Sequence, residues 1–323
     1  MNRFLLALSL LGIFSLAVLL PAVLPAAPAP GRCPKDAVCF FAVGDTGSGT
    51  PAQASVASGI RAKCAAHGCS FGVLLGDLIY PAGVSTPDDP ALRRLIADPY
   101  GPIGVPVYLL LGNHDYAKKH WEQAEAYAAF AAGNPRFLMP GGKTAYAVSH
   151  GPLLLLALDS QQLLLGAPGA EEAQAALARQ TLAAPAQPWR IVAAHHPYLS
   201  NGKHGNAGRY DRSFFTRASG HAYRGFLERE VCGRGAQVFL AGHDHNRQVL
   251  KPAKRCPDVK LHVVSGAGGS DLYELPGDNA AEWQSASLGF AYFRVTASRM
   301  EIEMVDLAGK VEHTSVLTRP ETK

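Results

Sequence analysis

Five short groups in the 323-residue sequence carry side chains able to hold metal ions: Asp45; Asp77 with Tyr80; Asn113 with His114; His195 with His196; His243 with His245. All offer oxygen or nitrogen donors and none a thiolate, a set suited to iron, manganese or zinc rather than copper(I) or an iron–sulfur cluster. The Asp77 carboxylate has two oxygens and can bridge two cations. Tyr80, three residues on, can offer a phenolate, a hard donor suited to Fe(III). His243 and His245 are two apart, so in an extended segment they point the same way and reach neighbouring ions. Singly, each group has a plainer explanation: Asp45 as a turn residue, Asn113 as a cap, His195 and His196 as a satisfied pair beside Pro197. The plain explanations fail together, because every group directly follows an apolar run and four of them follow a glycine.

Those runs are the elements that must position the donors. Ala37 to Val43, Phe71 to Leu75, Val105 to Leu111, Arg190 to Ala194 and Gln237 to Ala241 read as buried strands of a parallel or mixed sheet. In open sheets, ligands bind beyond the carboxyl ends of strands, where these groups stand. Helices are expected at Pro51 to His67, Ala91 to Ala97, Ala117 to Ala132, Ala170 to Ala183 and His221 to Val231. Thr144 to Ser149 and Pro152 to Leu158 read as a strand pair turning at His150 and Gly151. Leu261 to Val264, Ala291 to Thr296 and Glu301 to Val305 read as later strands. The alternation gives an α/β fold. A Gly-, Asn-, His- and Arg-rich loop, Leu199 to Ser213, is long and polar enough to line a site. Leu272 to Leu288, with Trp283, either covers the pocket or packs on the sheet.

At the N-terminus, Arg3 precedes an apolar run from Phe4 to Leu20, then small and Pro residues to Ala27. This reads as a cleaved secretory signal over 1–27, with an uncleaved anchor as the alternative. Residues 28–36 read as a mobile lead-in and 37–320 as one domain. Export would mean the periplasm or beyond, since the Ala-, Gly-, Pro- and Arg-rich composition points to a GC-rich bacterial source. All six cysteines follow the leader, and an even count in an exported chain favours disulfides. The pairs nearest in sequence are Cys33 with Cys39, Cys64 with Cys69 and Cys232 with Cys256, one of 15 possible connectivities. The net charge of +4 is mild and there is no long basic run, so no nucleic-acid partner is expected. No stable membrane partner is expected unless the leader stays. The oligomeric state is left open.

Taken in order, Gly44-Asp45, Gly76-Asp77, Gly112-Asn113-His114-Asp115, His195 and Gly242-His243-Asp244-His245 resemble the five blocks of the calcineurin-like metallophosphoesterases. More narrowly they resemble the small, single-domain purple acid phosphatases, the tartrate-resistant type. There the first block is Asp-Thr-Gly rather than Asp-x-His, and a tyrosine stands where Tyr80 does. The resemblance runs from about Phe40 to Gly269 and implies a four-layer αββα sandwich: two mixed β-sheets flanked by helices. It implies a binuclear centre with Fe(III) on Asp45, Tyr80 and His245, Asp77 bridging, and a divalent Fe, Zn or Mn ion on Asn113, His195 and His243. It places His114 facing the phosphate and, by a looser match, makes His204 the candidate acid. His196, where the animal enzymes have Tyr, and Thr46, where Trp is frequent, depart from the pattern; neither is expected to touch a ligand, but both could alter the pocket. The implied activity is acid phosphatase: a hydroxide held on the metals would attack a small phosphate monoester. The alternatives are phosphodiesterase or nucleotidase action at the same centre, a non-catalytic phosphate-binding module, or peroxide chemistry at the iron pair.

Overall fold

The structure, a computed structural model, describes residues 33–117, 120–183, 187–212 and 219–319. The leader expected over 1–27 lies outside them, as do residues 28–32. Of the expected lead-in, Cys33 is described and is tied by a disulfide to Cys39 in the first strand.

Among the described residues, fourteen strands build two sheets of seven. The first sheet holds β1 (Val38–Val43), β2 (Phe71–Leu75), β3 (Val107–Leu110), β4 (Phe137–Leu138), β12 (Phe290–Val295), β13 (Arg299–Val305) and β14 (Val311–Thr318), in the order β14-β13-β12-β1-β2-β3-β4. The second holds β5 (Tyr146–His150), β6 (Leu153–Ala157), β7 (Trp189–Ala193), β8 (Val238–Ala241), β9 (Arg247–Leu250), β10 (Leu261–Ser265) and β11 (Ala281–Ser285), in the order β11-β9-β10-β8-β7-β6-β5. Each sheet has a parallel run, β1 to β4 in one, with β4 as its edge, and β6-β7-β8-β10 in the other; antiparallel strands close the other three edges. Parallel strands need crossovers, and here helices make all but the one from β8 to β10, which runs through β9.

Alternation along the strands sorts the core into three layers. Phe40, Val73, Leu110, Leu155, Ile191 and Leu240 point between the sheets, where Phe40 stacks on its strand partners Phe71 and Phe293 with ring centroids 4.7 and 4.4 Å apart. Phe41, Val43 and Leu74 face outward onto the helix α1 (Pro51–His67) through Val56 and Ile60. Leu156 and Val192 face outward on the other side, onto the helices Ala170–Ala183 and His221–Glu230. The result is a helix–sheet–sheet–helix sandwich, as expected.

Several elements differ from the sequence reading, for local reasons. The residues Asp159 and Ser160 do not merely end a strand: Asp159 caps a short helix, Ser160–Leu165, by accepting from the Gln162 amide at 3.0 Å. The helix expected from Ala117 begins only at Gln123, after two single 3₁₀ turns. The one expected over Ala91 to Ala97 widens into a π turn at Arg93–Ala97 and runs on to Ile103. Strands β4, β9, β11 and β14 were not anticipated; β4 is two residues long, and β11 and β14 are half-exposed edges with many polar side chains. All six cysteines pair as nearest neighbours in sequence: Cys33 with Cys39, Cys64 with Cys69, Cys232 with Cys256.

Candidate metal centre

All five donor groups stand at the carboxyl ends of central parallel strands: Asp45 after β1, Asp77 and Tyr80 after β2, Asn113 and His114 after β3, His195 after β7, His243 and His245 after β8. The first sheet supplies every oxygen donor and the second every imidazole that was expected to bind metal. The turns are tight. Asp45, Asp77 and His243 adopt left-handed backbone angles, φ 60°, 52° and 70°. Such angles cost a side-chain-bearing residue roughly 1–2 kcal/mol and persist only where the surroundings hold them. Here backbone bonds zip the first two loops together: the Asp45 amide donates to the Gly76 carbonyl at 3.0 Å, and the Gly47 amide to the Asp77 carbonyl at 3.1 Å. Gly112 is a close-approach glycine, since a Cβ there would lie 2.2 Å from Asp77 Oδ1.

The donors gather into two nests. In one, Tyr80 Oη lies 3.2 Å from Asp45 Oδ1, 3.0 Å from Asp77 Oδ2 and 3.1 Å from His245 Nε2. In the other, His195 Nε2 lies 3.4 Å from Asp77 Oδ2, 3.1 Å from Asn113 Oδ1 and 3.2 Å from His243 Nδ1. One atom, Asp77 Oδ2, belongs to both. His114 stands beside them: its Nε2 is 4.0 Å from Asp77 Oδ2, its ring 4.4 Å from that of Tyr80, and its backbone amide donates to Asp77 Oδ1 at 2.9 Å.

Outer partners orient the rings. His195 Nδ1 donates to the Leu75 carbonyl at 2.8 Å and His245 Nδ1 to the Asp271 carbonyl at 2.6 Å, which turns both Nε2 atoms inward. The His243 amide donates to Asp45 Oδ2 at 2.8 Å. Asp45 and Asp77 are both buried, and among the described residues neither meets a lysine or arginine. Two carboxylates in so dry a place, with only histidines for ion-pair partners, call for cations. Burial would raise the Asp77 carboxyl, yet the neighbouring His195 and His114 hold it well below the usual range. Burial would likewise strip the proton from His195, but the Asp77 and Asp45 charges push its pKa up to about 9. His243 has no such help, and burial among other histidines drives it far down. Hard donors, convergent lone pairs, excess negative charge and a shared carboxylate oxygen together make a binuclear metal-binding site. No cysteine competes, since all six are in disulfides.

The sequence profile of the calcineurin-like phosphoesterases matches residues 40–247. The chain belongs to this family. Within it, the chain is related to the tartrate-resistant acid phosphatases: the type 5 enzyme of Rattus norvegicus is 26% identical over 89% of this chain and 92% of that protein. The Sus scrofa enzyme is 25% identical over 84% of each. Among solved structures, the fold is shared with the purple acid phosphatase PPD1 of yellow lupin seeds (TM-score 0.67, 18% identity, 92% of this chain and 56% of that one). It is also shared with GAP50, described as the anchor in the inner membrane complex of Plasmodium (TM-score 0.69, 19% identity, 90% and 91%).

Around this phosphoesterase centre, one expectation fails. His196 is not clear of the donors: its ring centroid lies 4.3 Å from that of His243, and its Nδ1 is 2.9 Å from Ser160 Oγ. Burial, with His195 alongside, drives its pKa far down. His204 does reach the site, its ring 4.3 Å from His243. Sequence reasoning gave no role to three further residues. Asp115 accepts from the Leu78 and Gly112 amides at 3.0 and 2.8 Å and from Tyr127 Oη at 2.7 Å, tying together the loops after β2 and β3. Burial, with the Asp77 charge nearby, pushes its pKa up to about 7. Asp244 accepts from the His204 amide at 2.9 Å. Tyr273 stacks on His245 with centroids 4.0 Å apart and lines an open cleft of about 520 Å³ together with Tyr80, His114, Lys203 and His245. Of the 272–288 segment, Tyr273 walls the cleft, while Ala281–Ser285 neither covers the pocket nor packs on the sheet but joins it as edge strand β11, with the Trp283 ring 5.2 Å from the guanidinium carbon of the buried Arg247.

Proposed function

We propose that this chain is an acid phosphatase acting on small phosphate monoesters, with Fe(III) on Asp45, Tyr80 and His245 and a divalent Fe, Zn or Mn ion on Asn113, His195 and His243. The single observation carrying the reading is Asp77 Oδ2, which lies within 3.4 Å of donors from both nests and so suits a bridging ligand. Ions held by these residues would supply Lewis acidity, lowering the pKa of water from about 15.7 toward 7 and offsetting charge on the phosphoryl oxygens.

The protein's own groups do the rest. The loops after β1, β2 and β3 and after β7 and β8 hold the donors rigid, so little reorganisation is needed at the moment of reaction. Asp77 Oδ1 is satisfied by the His114 amide, which keeps Oδ2 as the shared oxygen. His114 Nδ1 is held by the Pro81 carbonyl at 2.6 Å, leaving Nε2 for a phosphoryl oxygen. Water that has given one proton to solvent attacks phosphorus in line as the ester P–O bond breaks, and His204 gives a proton to the departing oxygen, a role worth roughly 10²–10⁴ in rate. The three disulfides and the sequence of the leader support an oxidising, extracytoplasmic location, periplasmic or secreted. No helix among the described residues is long and apolar enough to cross a membrane.

A non-catalytic role is the second reading, favoured by the fold likeness to an anchor protein. The completeness of the donor set weighs against it. Metal analysis, a visible spectrum and side-by-side rates on a monoester and a diester test both. Two metals, a phenolate-to-iron band and faster monoester cleavage are expected. Faster diester cleavage would move the assignment to phosphodiesterase, and no hydrolysis by metal-replete protein would favour the anchor-like role.

A further inference from the structure

The loop that follows β7 contains one more side-chain-bearing residue in the left-handed region, Asp211 at φ 52°. Its backbone conformation is held through His204. The Asp211 amide donates to the His204 carbonyl at 3.0 Å, and His204 Nδ1 donates to Asp211 Oδ1 at 2.6 Å. A third bond anchors the same histidine from behind, its amide donating to Asp244 Oδ1 at 2.9 Å. Gly202 lets this loop press onto Asp244, since a Cβ there would lie 2.3 Å from Asp244 Cγ. The His204 ring then lies against His243 at a 31° tilt.

Stability does not explain the Asp211 contact. Its side chain is 60% exposed, and ion pairs so open to solvent are worth little. Orientation does explain it. A carboxylate on one ring nitrogen fixes which nitrogen carries the proton and which way the ring faces. We propose that Asp211 is a positioning residue, which holds His204 with its Nδ1–H on the carboxylate and so dedicates Nε2 to the leaving-group oxygen.

The proposal rests on the phosphatase reading and deepens it. Water gives one proton to solvent and its hydroxide oxygen bonds to phosphorus as the P–O ester bond breaks, leaving that bond's electron pair on the ester oxygen. That oxygen takes the proton from His204 Nε2. Asp211 forms and breaks no covalent bond and keeps its charge throughout. A nitrophenyl oxygen leaves readily without a proton, whereas an alkyl oxygen does not. The contribution of Asp211 must therefore grow with the basicity of the leaving group.

The test uses the metal-replete protein and four variants: Asp211→Gly, which suits the left-handed backbone and removes the carboxylate; Asp211→Asn, whose amide oxygen can accept the same bond; His204→Ala; and the double variant Asp211→Gly with His204→Ala. Rates are measured on 4-nitrophenyl phosphate and on an alkyl phosphate monoester. Asp211→Gly is expected to lose about ten-fold or more in kcat on the alkyl ester and little on the nitrophenyl ester, within the range general acids supply. Asp211→Asn should recover most of the loss, and the double variant should be no slower than His204→Ala alone. Equal losses on both esters, or losses that multiply, would overturn the proposal. A second readout needs no turnover: nitrogen-15 spectra of the His204 ring, taken at a pH high enough that the ring is neutral, should show the Nδ1–H tautomer left after Nε2 has given its proton in the parent, and a mixture in Asp211→Gly. Identical spectra would also overturn it. If the parent hydrolyses neither ester, the phosphatase reading fails by itself, and the tautomer spectra still decide whether Asp211 sets the ring.

Discussion

Tyr80 and His245 are 165 residues apart in sequence, yet Tyr80 Oη and His245 Nε2 stand 3.1 Å from each other across the gap between the two sheets. A phenol and an imidazole that close, with Asp45 Oδ1 3.2 Å from the same phenol, leave room for one small, hard cation.

Replacing Tyr80 with Phe removes the phenolate and little else, because the ring keeps its contact with His114. Tyr80→Phe should lose the visible charge-transfer band while both metals remain by elemental analysis. Colour that persists would put the chromophore on another residue.

Asp77 is reachable from two sides. Asp77→Asn removes the shared charge and should reduce metal content to one ion or fewer per chain. Gly112→Ala drives a methyl to within 2.2 Å of Asp77 Oδ1 and should give a similar loss with normal far-ultraviolet circular dichroism. Full occupancy in both variants would refute the bridging role.

Metal uptake should release protons. Once the metals are stripped, the Asp77 charge keeps His195 protonated up to about pH 9, and a cation must displace that proton. For one displaced proton, affinity should fall about ten-fold per pH unit as pH drops below 9. A pH-indicator assay during zinc titration of chelated protein reads this directly; uptake without acidification would show His195 already neutral.

His262 limits acid stability. It is buried under Tyr198, and neither ring nitrogen has a partner among the described residues. Burial lowers its pKa to about 3, against an ordinary 6.5. The sign follows: the unfolded chain binds the proton more readily, so stability is fully present above about pH 6.5 and is lost as pH falls toward 3, by about 1.4 kcal/mol per unit. His262→Phe should flatten the fall in melting temperature between pH 6.5 and 4 relative to the parent. Parallel curves would clear His262 of the effect.

The centre was legible because its signal is local: a glycine, a ligand-type residue and a preceding apolar run sit within a few positions of one another, as in Gly76-Asp77 and Gly242-His243-Asp244-His245. The α1 boundaries and strand β2 were legible for the same reason. What escaped depends on contacts between loops distant in sequence. His196 was placed clear of the donors because adjacency in sequence does not tell which way a ring turns at a strand end. Tyr273 reaches the centre through a turn whose direction no periodicity encodes. Strand β14 was missed because an edge strand with polar, half-exposed side chains, Val311 to Thr318, looks like loop until its partner β13 is known.

The division of donors between sheets has a consequence for biosynthesis. The carboxylates, the phenol and the amide are all made by residue 113, whereas the last imidazole comes at residue 245. A nascent chain that has only its first half holds oxygen donors with no nitrogen to complete either nest. Metallation must then wait until more than three quarters of the polypeptide exists and the halves have docked. The metals are therefore acquired wherever the finished chain folds, and the ions available in that compartment decide which pair the protein carries.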